Sequence, residues 1–170
     1  TLAIEWINAS YKDFYISFAR LTHGKRIDVI IEAFKWIPEK NIIIIYGEND
    51  SQKNEFIKLG DGYKNIIFHS LRDNMHLPHI IGWAIASIAV SKEEDFGMVA
   101  IESMACGVPV IAVDEGGYRE TLIDGKTGIL LKIRKWTKIK NDNLSTLLIN
   151  NLSTTLQTTS KEKLCDIYYN

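Results

Sequence analysis

Residues Ile42–Tyr46 are four isoleucines followed by a tyrosine. A β-branched run this short, without polar alternation, fits a strand buried on both faces. Such strands belong to parallel sheets, whose crossovers place helices over each face. The flanking sequence alternates accordingly. Phe14–Phe18, Ile66–Phe68, Ile85–Val90, Val108–Val113 and Gly128–Leu131 read as further strands. Arg26–Ile37 has apolar residues at Ile27, Ile30, Ile31, Phe34 and Ile37, one face of a helix. Ser51–Leu59, with Ser51 as cap, Asn74–Trp83, Met98–Cys106 and a short piece within Gly116–Ile123 complete the helices. Pro78 and Gly82 interrupt the second of these. The expected class is α/β, with ligands at the carboxyl ends of the strands.

The glycines and charges gather at those ends: Arg20 and Lys25, Gly47-Glu48, Glu93 to Gly97, and Gly116-Gly117. Beyond Leu131 a basic stretch, Lys132–Lys140, precedes a segment rich in Asn, Ser and Thr. Leucines at 144, 147, 148, 152 and 156 keep a helical period there, which predicts one or two amphipathic helices. The expected division is therefore a parallel-sheet unit at 1–131 and a helical tail of the same domain at 132–170.

Composition narrows the function. A net charge of -1 over 170 residues argues against non-specific nucleic-acid binding and against a basic membrane arm. The basic stretch after Leu131 reads either as a solvated face or as a contact with anionic lipid. No apolar run approaches the roughly 20 residues of a membrane span. Two cysteines make no disulfide framework. Without a signal-peptide pattern at its start, the chain is expected in the cytoplasm, at most peripheral to the membrane face. Histidines 69, 76 and 79 lie near one another in sequence, but with no cysteine or carboxylate motif beside them they read as structural. Cys106 reads as a packed thiol, and Trp6, Trp36, Trp83 and Trp136 as core or interface.

The segment Ser91–Leu131 carries the chemistry. An acidic turn, Glu93-Glu94-Asp95, leads through Phe96-Gly97 into a helix start, where unpaired amides and the helix dipole favour an anion. Glu94 stands before that helix and Glu102 within it. Carboxylates accept paired hydrogen bonds from vicinal hydroxyls, so the arrangement suits a ligand with hydroxyls flanking a phosphate. Each piece also has a plainer reading: a solvated pair for Arg20 and Lys25, a polar turn for Glu93–Asp95, a tight turn for Gly116-Gly117.

Taken in order, Glu94-x7-Glu102, Met104-Ala105-Cys106-Gly107, Val108-Pro109-Val110-Ile111-Ala112, Gly116-Gly117, Glu120, Asp124-Gly125 and Thr127-Gly128 resemble the retaining glycosyltransferases of family 4, the glycosyl transferase group 1 domain of the GT-B fold. Phe18-Ala19-Arg20-Leu21 with Lys25 resembles the element that clamps the donor diphosphate in that family, with Ala19 where its glycine usually stands. The resemblance runs from about Phe14 to Leu131. It implies a Rossmann-like parallel sheet, the C-terminal half of a GT-B enzyme, with the acceptor-binding domain absent. The initial Thr1 fits an excised domain, inactive alone.

The roles the resemblance implies are these. Arg20 and Lys25 neutralise the diphosphate and the leaving group, and Glu94 hydrogen-bonds the transferred sugar, so these three are the catalytic candidates. Glu102 holds the ribose hydroxyls. Phe96, Gly97, Met98 and Val99 line the donor at the helix start, with the amides of Gly97 and Met98 against sugar or phosphate. Gly47 belongs to the turn beside the donor. Leu71 or Arg72, after a turn at His69-Ser70, lies near the base. No metal and no cofactor is expected, the donor being a nucleotide sugar such as GDP-mannose or UDP-glucose. The acidic pair before Asp95-Phe96-Gly97 is most like the mannosyltransferase branch. The acceptor would be a glycan or a lipid-linked sugar. A non-catalytic nucleotide-binding module and a GT-B nucleotide-sugar epimerase stand as alternatives.

Overall fold

A computed structural model describes residues 13–71, 75–132 and 142–158, with side chains at 142–143 and 153–158 excepted. Trp6, Arg72, Asn74, the basic stretch from residue 133 on, Trp136 and Cys165 lie outside the described residues, as does the side chain of Leu156. Six strands form one sheet: β1 (Phe14–Ser17), β2 (Asn41–Gly47), β3 (Ile66–Leu71), β4 (Ser87–Ala89), β5 (Val110–Val113) and β6 (Gly128–Leu131). Their order is β3-β2-β1-β4-β5-β6, and every pairing is parallel. The helices are α1 (Ile27–Lys35), α2 (Lys53–Leu59), α3 (Leu77–Trp83), α4 (Met98–Ala105), α5 (Tyr118–Thr121) and α6 (Asp142–Thr158), with a short 3-10 turn at His23–Lys25. This is a Rossmann-like α/β sheet.

The isoleucine run behaves as its composition requires. Ile42 and Ile44 join Tyr15 on one face, packed with Ile30, Phe34 and the α6 leucines. Ile43 and Ile45 join Phe14 and Ile16 on the other, packed with Ile80 and Ile81 of α3. The register sets Tyr15 beside Ile42 and Ile16 beside Ile43, so the alternation is kept across strands. The period-four leucines 144, 148 and 152 are all buried on one helix, which packs against α1 and β6.

Several features differ from the sequence reading. Ser51 does not cap α2; the helix starts at Lys53 with Gln52 at its N-cap and no side-chain cap bond. Pro78 falls in the first turn of α3, where its missing N–H costs no helical bond, so the helix begins at Leu77 rather than breaking there. His69 and Ser70 are not a turn: β3 continues through them to Leu71, paired with Ile45, Tyr46 and Gly47 of β2. Trp36, just past the end of α1, is exposed rather than part of the core, whereas Trp83 packs against the α3 face of the sheet.

At the far end from the strand carboxyl termini, buried Asn65 donates its side-chain amide to the carbonyls of Phe34 (2.8 Å) and Lys40 (3.0 Å). It thereby ties the end of α1 to the turn that leads into β2. Among the described residues, no helix is long and apolar enough to cross a membrane.

The docking of α6 is testable. Leu148 is fully buried, so Leu148→Ala should destabilise the chain by about 2–5 kcal/mol. Equilibrium urea unfolding measures this; a loss under about 1 kcal/mol would mean that α6 does not belong to the core.

Candidate functional site: the crevice beside β1

The strand order reverses direction at β1, with β2 on one side and β4 on the other. Loops leaving neighbouring strands on opposite sides of such a point diverge, and the crevice between them is where open α/β sheets bind ligands. Here the two loops are residues 18–26 after β1 and residues 90–97 after β4. A backbone bond from Lys92 N–H to the Gly24 carbonyl (2.8 Å) joins them.

Across this crevice the Lys25 ammonium donates to Glu94 Oε2 at 2.7 Å. Both side chains are largely withdrawn from solvent, at 27% and 15% exposure. Burial alone would raise the Glu94 carboxyl. The Lys25 hydrogen bond and charge, the Ser91 hydroxyl and the Gly97 amide outweigh it and hold the group below its usual range. Two residues carried separately by the resemblance are thus one ion pair at the switch point.

The acidic loop is held from beneath. Gly97 caps α4 with φ of 77°, the left-handed region that favours glycine. Gly117 N–H donates to the Glu94 carbonyl at 2.7 Å. A Cβ on Gly116 would collide with that carbonyl, and one on Gly117 would lie 2.5 Å from the Asp95 carbonyl and the Phe96 Cα. Gly116-Gly117 is therefore more than a tight turn: it is the surface on which the backbone of residues 94–96 rests. Below it Tyr118 is fully buried, and burial pushes its phenol up to about 12.

Arg20 is exposed on the same loop as Lys25. With Gly47 and Leu71 it lines a cavity of about 300 Å³ at the carboxyl ends of β1, β2 and β3, together with Tyr46, Asp50 and Leu77. The structure thus brings Arg20, Gly47 and Leu71 to one cavity and Lys25, Glu94 and Gly97 to one contact. Phe96 and Met98, beside Gly97, are half exposed, at 54% and 50%. Val99 is partly buried at the start of α4. Glu102 is exposed on the second turn of α4, and its charge, after burial, raises the Cys106 thiol.

Two residues at this site were not singled out by sequence reasoning. Asp50 Oδ2 accepts from Leu21 N–H (3.1 Å) and Gly47 N–H (3.3 Å), tying the loop after β1 to the turn after β2. An Asp three residues after a glycine at a strand end is a readable turn signal. Arg26, buried to 4% exposure, pairs with Glu115. Nothing in the local sequence announces that partner, 89 residues away. His69 is half-buried in β3, and burial pushes its imidazole down. Among the described residues, no group of three or more His, Cys, Asp or Glu is placed to hold a metal ion.

Residues 5–163 match the family model of the glycosyl transferases group 1. The chain belongs to this family. Among relatives, an uncharacterised glycosyltransferase of Methanocaldococcus jannaschii is 34% identical over 143 residues, covering 75% of this chain and 40% of that protein. The chain thus spans less than half the length of that relative. Of solved structures, Anabaena HepE in complex with UDP and glucose superposes with a TM-score of 0.72 at 25% identity, covering 98% of this chain and 44% of that one. The C-terminal domain of a group 1 family protein from Francisella tularensis superposes with a TM-score of 0.69 at 22% identity, covering 97% of this chain and 87% of that one. The fold is that of GT-B glycosyltransferase structures.

The ion pair has a pH signature. A carboxyl held below its unfolded value adds stability that is present above the unfolded pKa and lost as pH falls through the folded one. Native protein should therefore lose this contribution as pH falls from the ordinary glutamate range through the lower folded value. Glu94→Gln should show a smaller fall in Tm over that interval, read by thermal melts at matched ionic strength. An unchanged acid slope would show that Glu94 is not held by Lys25 in solution.

Proposed function

We propose that this chain is the donor-binding domain of a retaining glycosyltransferase that takes a sugar from a nucleoside-diphosphate sugar and passes it to a glycan or lipid-linked acceptor presented by a second domain. The observation that carries this reading is the Lys25–Glu94 pair at the switch point, beside the open Arg20 cavity. A cation already in contact with a carboxylate can exchange that partner for a phosphate oxygen, which also accepts charge-assisted bonds. The released Glu94 then accepts from sugar hydroxyls next to the diphosphate. Arg20 supplies a second fixed cation to the phosphates, and its guanidinium suits them geometrically. Both cations stabilise the charge that builds on the leaving diphosphate as the glycosidic bond to it breaks. Gly47 and Leu71, on the far side of Arg20, provide the wall for the nucleoside, and Glu102 accepts from its ribose. No divalent ion is needed for this arrangement.

The HepE complexes with UDP-glucose and with UDP and glucose support a nucleoside-diphosphate sugar as ligand class. The acidic run Glu93-Glu94-Asp95 ahead of Phe96-Gly97 supports mannose as the transferred sugar. Retention of anomeric configuration comes from the family resemblance.

Calorimetric titration of the chain with UDP, UDP-glucose, GDP and GDP-mannose, each in the presence of a chelator, tests the reading. Binding of a nucleoside diphosphate without metal is expected. A charged hydrogen bond to phosphate contributes about 1.5–3 kcal/mol, so Arg20→Ala should weaken it roughly tenfold to a hundredfold. Glu102→Ala should weaken the diphosphate too. Glu94→Ala should spare the bare diphosphate and weaken the nucleotide sugar. Binding seen only with magnesium or manganese, or equal losses for both ligands in Glu94→Ala, would overturn the assignment.

A further inference from the structure

Arg26 adopts a backbone conformation that its side chain disfavours. Its φ is 51°, left-handed, at the N-cap of α1, and no side-chain bond caps the helix there. Non-glycine residues persist in that region where their surroundings over-determine them, and such places cluster at functional sites. What holds Arg26 is visible. Its guanidinium is buried, and Nη1 donates to Glu115 Oε2 at 2.7 Å and to the Val90 carbonyl at 3.2 Å.

Both partners bear on the acidic loop. Val90 is the residue that follows β4 into that loop. Glu115 immediately precedes Gly116-Gly117, on which the backbone of residues 94–96 rests. The residue before Arg26 is Lys25, which holds Glu94. Adjacent cations on one loop thus hold two acids on two others, Glu94 after β4 and Glu115 after β5. Arg26, Glu115 and Gly116 also line a cavity of about 490 Å³ with Lys92, Glu93 and Arg119, next to the Lys25–Glu94 pair. A lysine would serve less well, because a guanidinium offers several N–H groups in a fixed plane, whereas an ammonium is a point donor on a flexible stem.

We infer that Arg26 is a positioning residue of the donor site: by tying the loop after β1 to Val90 and Glu115 across the switch point, it sets Lys25 and Glu94 at contact distance and thereby governs selection of the sugar at Glu94. The consequence for the ligand rests on the proposed donor-binding reading; the positioning of Glu94 does not.

Two measurements on the chain decide it. The first needs no ligand: carboxyl NMR titration of Glu94 in native protein, Arg26→Gly, Arg26→Lys and Glu115→Gln. Glycine relieves the left-handed backbone and removes the tie, so Arg26→Gly should fold while Glu94 titrates about one pH unit higher, having lost Lys25. Arg26→Lys should recover part of that shift, and Glu115→Gln should move it in the same direction by less. Glu94 titrating unchanged in Arg26→Gly overturns the inference. If Arg26→Gly loses its dispersed amide spectrum, Glu115→Gln decides by the same titration, an unchanged Glu94 again overturning it.

The second measurement uses whichever of UDP-glucose and GDP-mannose the native chain binds more tightly, with its diphosphate. Arg26→Gly, which also loosens Lys25, should weaken the nucleotide sugar about tenfold more than it weakens the diphosphate. In the Glu94→Gln background the same change should weaken the two ligands alike. Equal loss for both ligands in the native background would overturn the role at Glu94. A native chain that binds neither nucleotide sugar sinks the proposed function, while the Glu94 titration still judges Arg26.

Discussion

Strand β1 is four residues long and bonded on both sides, and the placement of the whole site follows from it. All four side chains are buried, so β1 has no solvent face and no freedom to shift register. The chain leaves it toward β2 and β3 and later returns on its other flank as β4, β5 and β6. Two loops far apart in sequence are forced to rise side by side, and this proximity turns a lysine and a glutamate 69 residues apart into a contact pair. Were β4 to pair elsewhere, every site residue would still exist, but no site would.

The electrostatics show how closely charges can be set without collapse. Lys25, Arg26, Glu94 and Glu115 alternate cation against anion at the mouth of the sheet, each in a pair of 2.7 Å. Withdrawing such groups from water is costly, and pairing roughly offsets the cost rather than adding stability. The two pairs differ in reach. Lys25–Glu94 lies at the rim, where water and solutes can enter, whereas Arg26 is 4% exposed. The outer pair is therefore the one within reach of a solute, and the inner pair lies behind it.

Much of this was legible in the residues. The isoleucine run fixed a doubly covered strand because no other environment accommodates five consecutive apolar side chains on alternating faces. The acidic turn, the glycine and the helix start at residues 93–98 are local signals, each with its own physical cause, and the structure keeps them in place. Other features were not legible because they are set by tertiary contact. Ser51 has the chemistry of a cap, yet α2 starts two residues later. His69-Ser70 lacks the look of a strand, yet β2 lies alongside and supplies the pairing. A left-handed arginine has no sequence signal at all, since its local preference argues against the conformation that its distant partners impose. The roles expected of the site residues came from the resemblance; which of them touch was supplied by the topology.

Gly116 and Gly117 show how a residue can matter to chemistry without having any of its own. Neither has a functional group, yet any side chain there would occupy space held by the backbone of residues 94–96. The penalty would fall on where Glu94 stands, not on what it is. A saturation survey of this domain scored by the proposed donor recognition should therefore find these two positions as intolerant as the glutamate itself. Intolerance alone would then misname them as ligand contacts, when they are the absence of atoms that lets another residue take its place.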